Sequence, residues 1–289
     1  MTAVLGLGTA QFGMDYGISN RSGRTPEAEV ARILELAWES GCRILDTASL
    51  YGESEEVLGR VLTPKLAFRI VTKTPPLAGN GGAPHLGPSF DTQLEKLRRE
   101  RVYGLLVHRA RDLLGAAGPE LYRELCRLKE AGLVERIGVS AYEVEEVEAL
   151  VARFDLGLIQ IPVNVFDQRL VAGGLMRRLK DRGIEIHARS AFLQGLLLMT
   201  PEELPEHLQA LAKPLQKFQA AAAAQKLTPL EAALSYVKNL DGIDAVIVGV
   251  INRAELEEVL NAFASRVQFD AASFACADPR LINPALWPQ

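Results

Sequence analysis

Four ionisable side chains stand where short apolar runs give out. Asp46 closes Arg43-Ile44-Leu45, Tyr51 follows five residues later in Asp46-Thr47-Ala48-Ser49-Leu50-Tyr51, Lys73 ends a run that begins at Arg69, and His108 closes Leu105-Leu106-Val107. Together these types compose a proton relay. A free phenol has a pKa of about 10, too weak an acid to deliver a proton readily near neutrality. A lysine ammonium beside it would stabilise the phenolate and lower that value, an aspartate would hold the ammonium charged and oriented, and a neutral histidine would position an oxygen. Such a set suits proton delivery to an oxygen whose carbon receives hydride, with a cofactor carrying the redox chemistry. Each residue alone has a plainer reading: a capping carboxylate, a solvated lysine, a packing tyrosine, a core histidine. Joint placement favours the relay, because a lysine and an aspartate at a buried mouth must pair to avoid a stranded charge.

The elements that would bring them together alternate along the chain. Strand-like runs lie near Val4–Leu7, Arg43–Leu45, Arg69–Thr72, Val102–Val107, Arg136–Val139, Leu158–Ile161, Glu185–Ala188 and Ala245–Val248. Helical patterns separate them: Pro26–Ser40, with Thr25 as N-cap and Gly41 as stop, then Ser54–Leu62, Phe90–Arg99, Glu120–Glu130, Val144–Ala152, Gly174–Asp181, a pair over Pro205–Gln225 and Pro229–Lys238, and Arg253–Phe263. Thr228-Pro229-Leu230-Glu231 is a capping box that divides the pair. Parallel strands need crossover helices, and eight such units close most naturally into a (β/α)8 TIM barrel, whose reactive groups gather at the C-terminal rim. A doubly wound open sheet would need a glycine-rich phosphate loop early in the chain; Leu5-Gly6-Leu7-Gly8-Thr9 lacks the third glycine and a helix directly behind it. The expectation is one α/β domain over residues 1–289, with Ala78–Pro88 a Gly/Pro-rich loop and the aperiodic residues from Val267 onward a tail packed over the barrel.

Composition narrows the function classes. Of 289 residues, 48% are apolar and 24% charged, a globular balance that excludes disordered or collagen-like chains. Thirty-two cationic against thirty-six anionic side chains leave a net charge of −4, which offers no basic stripe to nucleic acid. The longest clean apolar run, Ala245–Ile251, is far short of the roughly 20 residues that span a bilayer, so no membrane partner is expected. With no basic leader after Met1-Thr2-Ala3, a cytoplasmic location is the expectation. Cys42, Cys126 and Cys276 are odd in number, widely spaced and outside any C-x-x-C pattern, and read as buried apolar residues.

The chain resembles the aldo-keto reductase family over nearly its whole length. The resemblance is carried by Leu5-Gly6-Leu7-Gly8-Thr9, Leu45-Asp46-Thr47-Ala48 with Tyr51-Gly52 and Ser54-Glu55-Glu56, Thr72-Lys73, Val107-His108, and Ile137-Gly138-Val139-Ser140. It implies a (β/α)8 barrel binding NADP(H), with NAD(H) the alternative, and a small-molecule carbonyl or alcohol substrate. It also implies that Asp46, Tyr51, Lys73 and His108 are the catalytic tetrad with Tyr51 as general acid. By the same resemblance Gly8, Thr9 and Asp46 line the nicotinamide ribose, and Ser140 and Gln160 face the carboxamide. Ser190, Leu193 and Gly195 then form the pyrophosphate loop, and Gly249 through Glu258 surround the adenosine end.

Three departures bear on chemistry. Ala141 stands where the family usually has asparagine, leaving nicotinamide orientation more to Gln160. Arg189 stands where an aromatic residue commonly stacks on the nicotinamide, and its charge would disfavour the positively charged oxidised ring. Where relatives place lysine, serine and arginine for a 2′-phosphate, this chain has Gly249, Val250 and Glu255; Arg253 remains as a cation, while Glu255 could instead accept a hydrogen bond from an unphosphorylated ribose. Gln11, Phe12, Asp15, Tyr16, Arg109 and Arg111 are candidates for the substrate pocket, and Trp287 or Leu286 for closing it from the tail. Other readings are a metal-dependent lyase or isomerase, for which His85, His187 and His207 form no recognisable site, and a slow or non-catalytic nicotinamide-binding sensor subunit, similar to potassium-channel β-subunits.

Overall fold

Eight short runs rich in valine, isoleucine and leucine form parallel strands: β1 (Val4–Gly8), β2 (Ile44–Asp46), β3 (Arg69–Lys73), β4 (Val102–Val107), β5 (Val134–Ser140), β6 (Leu158–Pro162), β7 (Glu185–Arg189) and β8 (Ala245–Gly249). They pair in chain order, and β8 closes on β1. The computed structural model describes residues 3–77 and 83–288. Ile44, Val71, Tyr103, Leu106, Leu158, Ala245 and Ile247 pack inside the barrel, while the opposite strand faces bury a larger core against the helices.

The helices are α1 (Ala10–Gly13), α2 (Glu27–Glu39), α3 (Ser54–Val61), α4 (Leu86–Leu97), α5 (Ala110–Leu114), α6 (Gly118–Glu130), α7 (Val144–Arg153), α8 (Leu175–Asp181), α9 (Ala212–Ala224), α10 (Pro229–Lys238), α11 (Arg253–Ala264) and α12 (Pro279–Ile282). Every expected strand and crossover helix is present, with instructive shifts. Helix α4 begins at Leu86 rather than Phe90, because Pro88 falls in the first turn, where its missing N–H costs nothing. That corrects the loop expectation over residues 86–88; its residues 78–82 lie outside the described ones. The helix expected from Pro205 starts at Ala212, behind a 3-10 segment at Glu206–Leu211. Pro214 explains the delay: deep inside a longer helix it would remove a hydrogen bond and clash with the preceding turn.

Thr25 does not cap α2; its hydroxyl donates to the Ile251 carbonyl at 3.2 Å and ties that segment to the loop after β8. The capping box of α10 forms as expected, with Glu231 N donating to Thr228 Oγ1 at 3.2 Å. Only Cys42 is fully buried, and the other two thiols are half-buried. Phe269 and Trp287 anchor the tail in the core. Among the described residues no helix is long and apolar enough to cross a membrane.

Barrel register sets the site. Gly8 pairs with Asp46 and with Gly249, Ser140 with Gln160, and Pro162 with Arg189, so the ends of β1, β2, β5, β6, β7 and β8 arrive at one rim.

Candidate active site

A cleft of about 620 Å³ opens at that rim. Its floor is built around Lys73, which is 1% exposed and whose Nζ donates to Asp46 Oδ2 at 2.6 Å, to the Thr47 carbonyl at 2.9 Å and to Tyr51 Oη at 3.3 Å. Asp46 Oδ1 accepts from Gln160 Nε2 at 2.6 Å, so both carboxylate oxygens are spoken for. Behind them Ser54 Oγ donates to the Thr9 carbonyl at 2.8 Å and lies 3.1 Å from Thr47 Oγ1, while Thr9 Oγ1 donates to the Asp46 carbonyl at 3.0 Å. This buried hydroxyl cluster locks the ends of β1 and β2 to the start of α3. His108 stands edge-on to Tyr51, with ring centroids 6.1 Å apart.

Electrostatics fix the protonation states. Burial pushes the Tyr51 hydroxyl well above the usual tyrosine range, the Asp46 carboxylate raises it further, and the Arg189 guanidinium opposes both. The expectation that Lys73 makes this phenol more acidic is therefore not met: desolvation and the Asp46 carboxylate outweigh the ammonium. Tyr51 rests with its proton on. Burial lowers Lys73 itself, against the raising influence of Asp46. His108 is depressed to about 3 by burial and by the Lys73 charge, so its imidazole is neutral, and its Nδ1 is buried without a partner among the described residues.

Gly8, Thr9, Asp46, Tyr51, Lys73, His108, Ser140, Gln160, Arg189, Ser190, Gly195, Gly249, Glu255 and Glu258 all border this cleft. Two sequence candidates do not. Leu193 is fully buried in the core and contributes a backbone turn, while the Arg253 guanidinium turns outward to Glu257, with Nε 3.0 Å from Oε1. Of the substrate-pocket candidates, Gln11 and Tyr16 border the cleft; Phe12 is core, and Asp15, Arg109 and Arg111 lie off the lining. From the tail it is Pro284 and Ala285 that reach the cleft, rather than Leu286 or Trp287. Sequence reasoning missed Tyr142, whose ring carries the Arg189 guanidinium at 4.1 Å; its place two residues past the end of β5 was the available signal.

The cleft suits a nicotinamide dinucleotide on two grounds. Gln160 Nε2 is committed to Asp46, which leaves Gln160 Oε1 a buried acceptor without a partner among the described residues, beside Ser140 and matched to an amide N–H. The loop after β7 places Ser190, Leu193, Gln194 and Gly195 at φ of 60°, 49°, 56° and 91°, a run of left-handed residues of the kind held at ligand clamps. It meets the loop after α1, where Ser19 Oγ donates to the Gln194 carbonyl at 3.5 Å.

A model of the aldo/keto reductase family matches residues 4–278. A methylglyoxal reductase, DkgB, from Escherichia coli O157:H7 is 26% identical over 294 aligned residues, covering 96% of this chain and 95% of that one. A 6-dehydroglucose reductase from Novosphingobium aromaticivorans is 32% identical over 144 residues, 45% of this chain and 46% of that protein, so the match spans less than half of it. The aldo-keto reductase AKR11C1 from Bacillus halodurans, in its holo form, superposes with a TM-score of 0.76 over 93% of this chain and 89% of its own, at 20% identity.

Proposed function

The chain belongs to the aldo/keto reductase family, and from that premise we propose that it interconverts an aldehyde, ketone or sugar-like carbonyl compound with the corresponding alcohol, with Tyr51 as general acid. A bound nicotinamide dinucleotide would supply the hydride. The observation that carries the reading is the Lys73 ammonium, shared between Asp46 Oδ2 and Tyr51 Oη at the floor of the cleft. Because Tyr51 Oη accepts from Lys73, its own O–H is free to donate to a carbonyl oxygen in the cleft. As that proton leaves, the phenolate charge develops against a positive group already in place, so little reorganisation is needed. Neutral His108 serves as a hydrogen-bond donor to the same oxygen, and Gln160 orients the carboxamide. Ser140 faces the same group, Gly8 and Thr9 take the ribose, and the turns through Ser190, Leu193 and Gly195 take the pyrophosphate.

Two relatives are named as reductases of methylglyoxal and of 6-dehydroglucose, which supports a polar carbonyl substrate. The test is to follow nicotinamide absorbance against aldehydes, ketones, sugars and lactols with both dinucleotides. Turnover that disappears in Tyr51→Phe while the dinucleotide still binds supports the proposal. Tight dinucleotide binding with no turnover on any carbonyl compound turns the reading towards a sensor subunit.

A further inference from the structure

We infer that the end of the cleft beyond β8 selects an unphosphorylated ribose, so that the protein takes NAD(H) in preference to NADP(H), and that Glu255 and Glu258 are the residues that make the choice. The inference rests on the dinucleotide reading above and on three observations at that end.

The first is charge. Both carboxylates border the cleft, and burial raises the Glu255 pKa against the lowering hydrogen bond from Ile251 N, with the Glu258 charge adding to the rise. Among the described residues, the lysine and arginine side chains that line the cleft are Lys73 and Arg189, and both act on Tyr51 or its neighbours at the opposite end. Arg253, the cation nearest in sequence, spends its guanidinium on Glu257 and its backbone N–H on Glu29 at 2.7 Å. A phosphate monoester carrying about −1.5 to −2 charge near neutrality would lie against two carboxylates with no lysine or arginine among the described lining residues at that end to offset it.

The second is the helix terminus. The start of α11 is an anion-favouring position, where N–H groups and the helix dipole converge. It is already filled from within the chain: Asn252 Oδ1 accepts from Glu255 N at 2.8 Å, and the Glu255 carboxylate accepts from Ile251 N at 2.9 Å. A phosphate cannot use donors that the Glu255 side chain holds. A ribose hydroxyl, by contrast, can donate to a carboxylate.

Space is the third. A Cβ added at Gly249 would fall 2.6 Å from Gln11 Oε1 and 2.7 Å from its Nε2. The Gln11 carboxamide thus fills the space beside the bare Gly249 backbone, and position 249 brings no cationic side chain to this end of the cleft.

Calorimetric titration of the full chain with NADH, NADPH, adenosine 5′-monophosphate and adenosine 2′,5′-bisphosphate tests this without turnover. NADH is expected to bind at least about tenfold more tightly than NADPH, a difference of ~1.4 kcal/mol, and the two adenosine nucleotides should rank the same way. Glu258→Gln, which leaves the Ile251 hydrogen bond intact, should shrink the NADH to NADPH preference, and Glu255→Gln with Glu258→Gln should shrink it further. Equal affinities in the parent chain, or a preference that neither variant moves while both remain folded by circular dichroism, overturn the inference. Failure of both NADH and NADPH to bind overturns instead the dinucleotide reading on which it rests.

Discussion

The Arg189 guanidinium lies over the Tyr142 ring, 4.1 Å from its centroid, with Nη2 buried and without a hydrogen-bond partner among the described residues. No carboxylate is paired with it among the described residues; its one side-chain hydrogen bond is from Nη1 to Ser190 Oγ at 3.3 Å. A cation fixed by stacking keeps its field, and that field reaches Tyr51, Lys73 and His108, lowering the pKa of each.

A positive charge held there opposes a positively charged oxidised nicotinamide more than the neutral reduced ring. The reduced dinucleotide should therefore bind more tightly than the oxidised one, and Arg189→Met should narrow the difference. Fluorescence titration with both redox forms checks this. Equal affinities in the parent chain would falsify it.

Tyr51→Phe deletes the proposed proton donor and little else, because Lys73 keeps Asp46 and the Thr47 carbonyl. Turnover should fall by about 10²–10⁴-fold, with dinucleotide affinity unchanged. The raised Tyr51 pKa adds a sign. The donor stays protonated through neutrality, so carbonyl reduction should show no alkaline limb below the ordinary tyrosine value of about 10, whereas alcohol oxidation, which needs the phenolate, should climb with pH. A reduction rate that already declines between neutrality and that value argues against Tyr51 as the acid.

Asp46→Asn strands a lysine that is 1% exposed. Breaking a buried ion pair by removing one partner costs roughly 3–5 kcal/mol. With the carboxylate gone, burial and the Arg189 charge depress the Lys73 pKa in the folded state. The unfolded chain then binds the extra proton, so the variant should regain stability as pH rises towards the ordinary lysine value of about 10.4. Urea midpoints across that range test it; a deficit that does not change with pH would mean that another group compensates the charge.

Much of this arrangement is legible in the sequence, because strand ends are where apolar runs stop. Asp46, Lys73 and His108 each terminate such a run, and the parallel register then carries them to one rim. What the sequence hides is direction and energetics. Arg253 and Glu255 sit two residues apart at the start of α11, yet only Glu255 turns into the cleft, since the Asn252 cap and the Glu257 ion pair set the rotation of that turn. Tyr51 is legible as a candidate donor, but its raised pKa is not, because desolvation depends on the closed walls around it. Pro284 and Ala285 reach the cleft from a tail with no period to read.

His108 gives an acid-side signature. Its folded value of about 3 lies below the unfolded imidazole value of about 6.5, so between them the unfolded chain binds the additional proton and stability rises with pH. That contribution is intact above the unfolded value and is lost progressively as pH falls below it. The melting temperature should decline between neutrality and mild acid, and His108→Gln, which cannot titrate, should flatten that decline. An unchanged slope would place the acid sensitivity elsewhere.

Gly195 is the point where the loop after β7 packs against the loop after α1 at the edge of the cleft. Its φ of 91° is open to glycine and strained for other residues, and a Cβ there would fall 1.8 Å from Ser19 Oγ and 2.7 Å from Ser19 Cβ. Gly195→Ala must therefore both strain its own backbone, by about 1–2 kcal/mol, and push the loop bearing Ser19 away. If that contact holds a dinucleotide in place, the substitution should speed dinucleotide release and weaken binding, with less effect on the dinucleotide-free melting temperature. Ser19→Gly removes both clashing atoms, so the double variant should recover the steric part of the loss and keep only the backbone part. The interaction energy from a double-mutant cycle on dinucleotide affinity separates the cases. A non-additive recovery means that the loops press on each other over the bound molecule, and strict additivity means that they act apart.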